Sequence, residues 1–152
     1  MASMNGKPER QDLANKTNAY RLNDQVGFIL RRATQRHLAI FANHIGDLTS
    51  TQFAALAKLH EIGPVSQNEL GRQTAMDGAT IKGVIDRLRK RGYVESRSDA
   101  NDRRRIFVEL NPAGHKIYQD CVDAAHEISG KTLAPLTARE SETFLNLLRK
   151  II

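Results

Sequence analysis

SQNELGRQTAMDGATIKGVIDRLRKRGYVESRSDANDRRR, residues Ser66–Arg105, is the stretch whose reading decides the fold. Ser66 and Glu69 have capping-box spacing: the hydroxyl can accept from the Glu69 amide while the carboxylate reaches back to the Ser66 amide. A short helix therefore starts here and runs to about Thr74. After an Ala75-Met76 turn, Asp77 is placed to cap a second helix, whose buried side is Ile81, Ile85 or Val84, and Leu88 at helical spacing. Thr80, Lys82, Gly83 and Arg87 fall largely on its exposed side. Arg91-Gly92 suits a glycine C-cap; Tyr93, Val94 and Glu95 then give a strand, and Ile106, Val108 and Leu110 its alternating partner. Helix, turn, helix and two-stranded wing make a winged helix-turn-helix.

Charge is concentrated on the same stretch. From Arg72 to Arg105 there are ten Lys/Arg against five Asp/Glu, so this stretch, under a quarter of the chain, carries +5 of a total formal charge of +6. Cationic side chains gathered on one helix and one hairpin are the electrostatic footprint of phosphate binding, and agreement between turn, helix, wing and charge favours nucleic acid over a merely solvated basic face.

Composition sets the outer limits. The 152 residues, 40% of them hydrophobic, suffice for one respectable core with a helical appendage. With 5% aromatics and no Trp, that core is built of Leu, Ile, Val and Ala. A pI near 9.8 calls for a polyanionic partner, and no apolar run approaches the roughly 20 residues of a spanning helix, so nucleic acid is expected and a membrane is not. The absence of a signal-like stretch and the single Cys121 suit the cytoplasm. No phosphate loop, dinucleotide fingerprint, metal-ligand cluster or nucleophile arrangement is apparent; the expectation is a protein that is not an enzyme and takes no cofactor or metal.

Outward from the head, residues 1–19 are polar and aperiodic and read as a mobile N-terminal arm. A long helix is expected from about Leu22 to Ile45. Wound at about 100° per residue, it places Leu22, Val26, Ile29, Leu30, Ala33, His37, Ile40 and His44 on one stripe and Phe28, Arg31, Gln35, Leu38 and Ala42 roughly opposite. Two apolar sides need two packing partners, and a domain this small supplies one, so a second copy of the chain is expected to supply the other. Thr49 with Gln52 opens the next helix, buried through Phe53, Leu56 and Leu59 and ended by Gly63-Pro64. Past the wing, Asn111 at N-cap and Pro112 at N1 start a helix carrying Ile117, Cys121, Ala125 or Ala124, and Ile128 on one face. Gly130 and Pro135 bound a break, and Thr137 with Glu140 opens a last amphipathic helix with Phe144, Leu147, Leu148 and Ile151. The fold class is mainly α with a small β-wing. A single domain over residues 20–152 is expected, with dimerisation helices at about 20–46 and 112–152 flanking a winged helix-turn-helix at about 48–111.

These motifs resemble the MarR family of bacterial transcription regulators over almost the whole chain after the arm. DRRRIFVELNPAG, Asp102–Gly114, is similar to the family's Asp-Arg-Arg, alternating strand and Leu-Thr-x-x-Gly pattern, with Asn111-Pro112 where Thr is usual. TIKGVIDRLRKRGYVESR looks like its recognition helix running into the first wing strand, and LTSTQFAALAKL and SQNELGRQ like its helix starts. The resemblance implies a homodimer that lays two recognition helices in successive major grooves of a pseudo-palindromic operator in double-stranded DNA, the wings reaching the flanking minor grooves. It puts Thr80, Lys82 and Gly83 at groove-facing positions and Arg104 in the minor groove, with Asp102 pairing an arginine to shape the wing tip. The full set of candidate DNA contacts is Ser66, Gln67, Ala79, Thr80, Lys82, Gly83, Arg87, Arg103, Arg104 and Arg105. Gly83 departs from the larger polar residue usual there, which suggests a close backbone approach to DNA.

The resemblance also implies a small phenolic or aromatic carboxylate effector bound between the dimerisation helices and the head. Phe28, Arg31, Gln35 and Phe53 are its candidate contacts, because a guanidinium beside aromatic rings suits a flat acid; the bland alternative is a structural ion pair at Arg31. His37 and His44 are expected to be hydrogen-bonded core residues and Cys121 a packed thiol. The expected function is therefore a ligand-released repressor. The alternatives are a DNA-architectural protein with little sequence preference and a redox- or metal-responsive regulator.

Overall fold

The computed structural model describes residues 19–152, so the expected arm falls outside the described residues except for Ala19. The described residues divide into two compact units, one ending at Gln35 and the other Arg36–Ile152. In the first, a 3-10 turn at Leu22–Asp24 and an extended Gln25 (φ −87°, ψ 132°) precede helix α1, Val26–His44, whose first ten residues belong to this unit. The expected helix from Leu22 is thus interrupted at Gln25. Leu22, Val26, Ile29 and Leu30 are all exposed.

The second unit contains the rest of α1 and helices α2 (Ser50–Ile62), α3 (Gln67–Gln73), α4 (Gly78–Lys90), α5 (Pro112–Leu133) and α6 (Ala138–Arg149). Its antiparallel sheet has three strands, β1 (Val65–Ser66), β2 (Val94–Ser98) and β3 (Ile106–Leu110), in the order β1-β3-β2. The wing pair has Val94 opposite Leu110 and Ser98 opposite Ile106. The short β1 was not legible in the sequence: it pairs Val65 with Val108 and Ser66 with Phe107, and two residues carry no alternation.

The core of this unit gathers one apolar side from each element. Leu56 and Leu59 of α2, Leu70 of α3, Ile81, Ile85 and Leu88 of α4 and Ile128 of α5 are almost fully buried, closed by Val94, Val108 and Leu110 of the sheet. Each such side chain contributes about 1.5–3 kcal/mol relative to leaving it exposed. Phe53, expected to be buried, is half-buried, and Ile117, Cys121, Ala124 and Ala125 pack against the core as the α5 periodicity requires. Burial, with Asp120 and Asp47 nearby, pushes the Cys121 thiol upward, away from the thiolate form.

Helix ends follow the caps. Thr49 with Gln52 and Thr137 with Glu140 form both halves of the capping box, and Asn111 Oδ1 accepts from the Gly114 amide at 2.9 Å with Pro112 in the first turn. Gly92, at φ +74°, ends α4 in a Schellman arrangement: its N–H reaches the Arg89 carbonyl and that of Tyr93 reaches the Leu88 carbonyl. Gly130 does not break α5, which runs to Leu133, because Ile128 is held in the core and a single exposed helical glycine costs only about 1 kcal/mol. Gly114 has a different role: a Cβ there would stand 2.0 Å from the Tyr93 carbonyl oxygen, so only glycine lets the first turn of α5 lie on the start of β2.

Candidate nucleic-acid interface

The interface begins at the turn between α3 and α4. Ser66 Oγ accepts from the Glu69 amide at 3.3 Å, but the return bond expected from Glu69 is not formed. Ser66 is already a strand residue paired with Phe107, and the Glu69 carboxylate turns instead to Gln73 Nε2, at 2.8 Å, and to Arg72, which together hold it below the usual carboxylate range. Ala75 adopts a left-handed conformation (φ 53°), letting the Met76 amide bond the Gly71 carbonyl at 2.9 Å. Gly71 keeps the crossing tight, since a Cβ there would lie 3.1 Å from both Ile81 Cγ2 and the Met76 carbonyl oxygen.

Asp77 Oδ1 then accepts from the Thr80 amide at 2.7 Å, and this bond holds its carboxyl below the ordinary value. With Ile81, Val84, Ile85 and Leu88 buried, α4 leaves Ala79, Thr80, Lys82 and Arg87 exposed and Gly83 half-buried, as its periodicity requires. A Cβ on Gly83 would meet only the end of the Arg87 side chain, at 3.6 Å, so no packing within the chain demands glycine there. Lys82 reaches Asp86 at 2.8 Å and Arg89 reaches it at 3.1 Å, lowering the Asp86 pKa chiefly through the Lys82 bond. Two exposed pairs of this kind are weak, and a phosphate can compete for both cations.

Arg89 and Arg91, two of the ten basic residues, do structural work that sequence reasoning did not assign. Arg89 also donates to Ser96 Oγ at 2.8 Å, tying α4 to β2. Arg91 bonds the Asp47 carbonyl and stands over the Tyr93 ring, 5.2 Å from its centroid. On the wing, Arg97 crosses to Glu109 at 3.3 Å.

At the wing tip one expectation is corrected. Asp102 makes no arginine pair among the described residues; its Oδ1 accepts from the Arg104 amide at 3.0 Å, and its carbonyl accepts from the Arg105 amide at 2.9 Å. A carboxylate two residues before the amide closes an Asx-type turn more cheaply than it immobilises a long guanidinium. Asp99 does the same for Asn101, and Arg103, Arg104 and Arg105 are left exposed. Arg104 and Arg105 meet Ser66, Glu69 and Arg72 around an open cavity of about 490 Å³ between wing and α3, so head and wing share one cationic surface. Gln67, half-buried, opens α3 beside Ser66.

The candidate effector residues fall in both units. Phe28 is half-buried and Arg31 and Gln35 exposed in the first unit, whereas Phe53 lines a cavity of about 310 Å³ in the second with His37, Phe41, Ser50, Ala54, Ala125, Ile128 and Ser129. His37 and His44 are hydrogen-bonded, as expected, but half-buried rather than in the core. Thr132 Oγ1 donates to the Ile128 carbonyl at 2.8 Å, so it accepts from His37 Nδ1 at 2.9 Å. His44 Nδ1 donates to the Ile40 carbonyl at 2.7 Å while its Nε2 accepts from Lys131 at 2.6 Å.

Comparison with known proteins agrees with this geometry. The model of the MarR family matches residues 48–106, which span the head and wing. The HTH-type transcriptional repressor NicR of Pseudomonas putida is 43% identical over 135 residues, covering 88% of this chain and 85% of that protein. A crystal structure described as a "probable transcriptional regulator" from Pseudomonas aeruginosa superposes with a TM-score of 0.84 at 54% identity, covering 87% of this chain and all of that one. BpsR of Bordetella bronchiseptica, described by the regulation of its DNA binding by 6-hydroxynicotinic acid, gives 0.84 at 38% identity over 88% of this chain and 97% of its own. No helix among the described residues is long and apolar enough to cross a membrane. Fold, cationic surface and relatives together place the chain in the MarR family of winged helix-turn-helix, DNA-binding transcription regulators.

Proposed function

We propose that the protein is a homodimeric, sequence-specific repressor released from its operator by a small aromatic carboxylate. The observation that carries the DNA half is the shared surface of Ser66, Arg72, Arg104 and Arg105 beside a helix whose exposed side is Ala79, Thr80, Lys82 and Arg87. Helix residues of this kind read base edges, and wing arginines read groove width and negative potential. Support for dimerisation is the exposed apolar residues of α1 and α6, which have no cover among the described residues.

Support for the effector is the cavity around Phe53, walled by Phe41, Ala125 and Ile128 and edged by His37, Ser50 and Ser129. An aromatic acid entering it meets the rings of Phe41 and Phe53 and a polar edge made by His37, Ser50 and Ser129. The ligand class reported for BpsR, a hydroxylated aromatic acid, has this chemistry. Arg31, with Phe28 and Gln35, remains the sequence-based assignment for a guanidinium contact. Repression is steric, and ligand selects a conformer that cannot seat both recognition helices.

The test is fluorescence anisotropy on DNA upstream of the protein's own gene, against scrambled duplex at matched salt, with and without aromatic carboxylates. Tight selective binding released by one compound is expected; equal affinity for both duplexes defeats the operator reading. Arg104→Ala should weaken operator binding and reduce the salt slope by about one while the dimer stays intact. Arg31→Ala and His37→Gln should each cost effector response more than DNA affinity, and whichever leaves the response unchanged is removed from the site.

A further inference from the structure

We propose that His60 and His115 form a surface site for a borderline divalent transition ion such as zinc, clipping the end of α2 to the start of α5. The two imidazoles come from positions 55 residues apart, and their Nδ1 atoms stand 3.2 Å from each other. In the free protein that contact is an N–H···N hydrogen bond, one ring donating and the other accepting. The same spacing is close to the edge of a tetrahedral zinc site, which with Zn–N bonds of about 2.0–2.1 Å is about 3.3–3.4 Å. The nitrogens need hardly change their separation, and the exchange is a turn of the two rings that brings both lone pairs onto the ion.

The proton balance is simple. The ring that holds its proton on Nδ1 gives it up and takes one on Nε2, so that both rings present an Nδ1 lone pair and remain neutral. Imidazole nitrogens select ions of the zinc, nickel and copper class over calcium or magnesium. Both side chains are exposed, which leaves the remaining coordination positions to water. The neighbouring carboxylates are engaged elsewhere, Glu61 by Lys58 and Asp120 by Lys116, each at 2.7 Å. Two protein ligands therefore imply micromolar rather than tighter affinity.

One ligand is held in place before any ion arrives. His60 stacks on Tyr118, with centroids 4.3 Å apart and planes 29° from parallel, and Tyr118 in turn stacks on Phe53 at 5.9 Å. An imidazole already packed against a ring loses less rotamer freedom on binding metal. An ion at this site replaces one hydrogen bond between the two helices with two metal–nitrogen bonds, and binding that favours the folded chain raises its melting temperature. The inference depends on the pair alone and not on the proposed effector or operator.

Zinc titrated into the full chain by calorimetry should bind once per chain. His60→Gln and His115→Gln should each weaken binding about tenfold or more, while His126→Gln, on the exposed side of α5, should leave it unchanged. Zinc should raise the melting temperature of the wild type by several degrees and that of the two variants by less. In the wild type alone, copper should broaden the ring signals of His60 and His115 and spare those of His126. No saturable binding, equal affinity in the His60 and His115 variants, or broadening centred on other histidines would overturn the site.

Discussion

The head and the helices at the two ends of the chain solve the burial problem differently. In α4, four apolar residues are buried against α2, α3 and the sheet, and the opposite side is polar. In α6 no residue is buried, and Phe144, Leu147 and Ile151 are exposed, as are Val26 and Ile29 in the first turns of α1. The head buries its apolar sides among the described residues, whereas the ends carry apolar surface that the described residues leave exposed. On the proposed reading, stability of the head is a property of the single chain and order at the ends a property of the dimer.

The sharpest way to break this contrast is the junction between the two regions. Gly114→Ala drives a methyl group into the Tyr93 carbonyl, and overpacking of rigid backbone should cost about 3 kcal/mol or more in urea denaturation. A neutral result would mean that α5 docks less closely on the head than the structure shows. Next, Ile29→Asp and Leu147→Asp should halve the mass measured by light scattering at micromolar protein while leaving the circular dichroism of the head unchanged. If the mass stays the same, these residues do not form the dimer interface.

Smaller effects sharpen the reading of α4. Gly83→Ala should stabilise the head by about 1 kcal/mol, because nothing within the chain requires glycine. A simultaneous loss of operator affinity would show that the backbone approaches DNA closely there; undiminished affinity would remove Gly83 from the interface. The smallest effect is in acid. Asp77 has a lowered pKa in the folded state, so its capping contribution is full above the unfolded value and is lost as pH falls through the folded one, below about 4. Asp77→Asn, which also caps, should flatten that part of the stability profile, and an unchanged profile would assign the acid sensitivity to other carboxylates.

Legibility followed the range of the interaction. The caps at Thr49, Asp77, Asn111 and Thr137 and the glycine end of α4 were readable because donor and acceptor lie within a few residues of each other. Errors arose where a local group had a competing partner. Glu69 chose Gln73 and Arg72 over Ser66, Asp102 chose a backbone amide over a guanidinium, and Gly130 stayed helical because Ile128 anchors its turn. The basic run was visible as a count, but the division between Arg104, left exposed, and Arg91, spent on Asp47 and Tyr93, was not.

By itself the sequence determined the order of elements, the buried side of each helix in the head, and the surface that carries the charge. Periodicity, capping and charge are written in neighbouring residues. Only the tertiary structure decided that Val65 adds a third strand, that Gly114 must lie on Tyr93, that Arg104 and Arg105 face Ser66 across a cavity, and that His60 meets His115. Each of these joins residues far apart in the chain, and their distance is set by how whole elements pack rather than by any local preference.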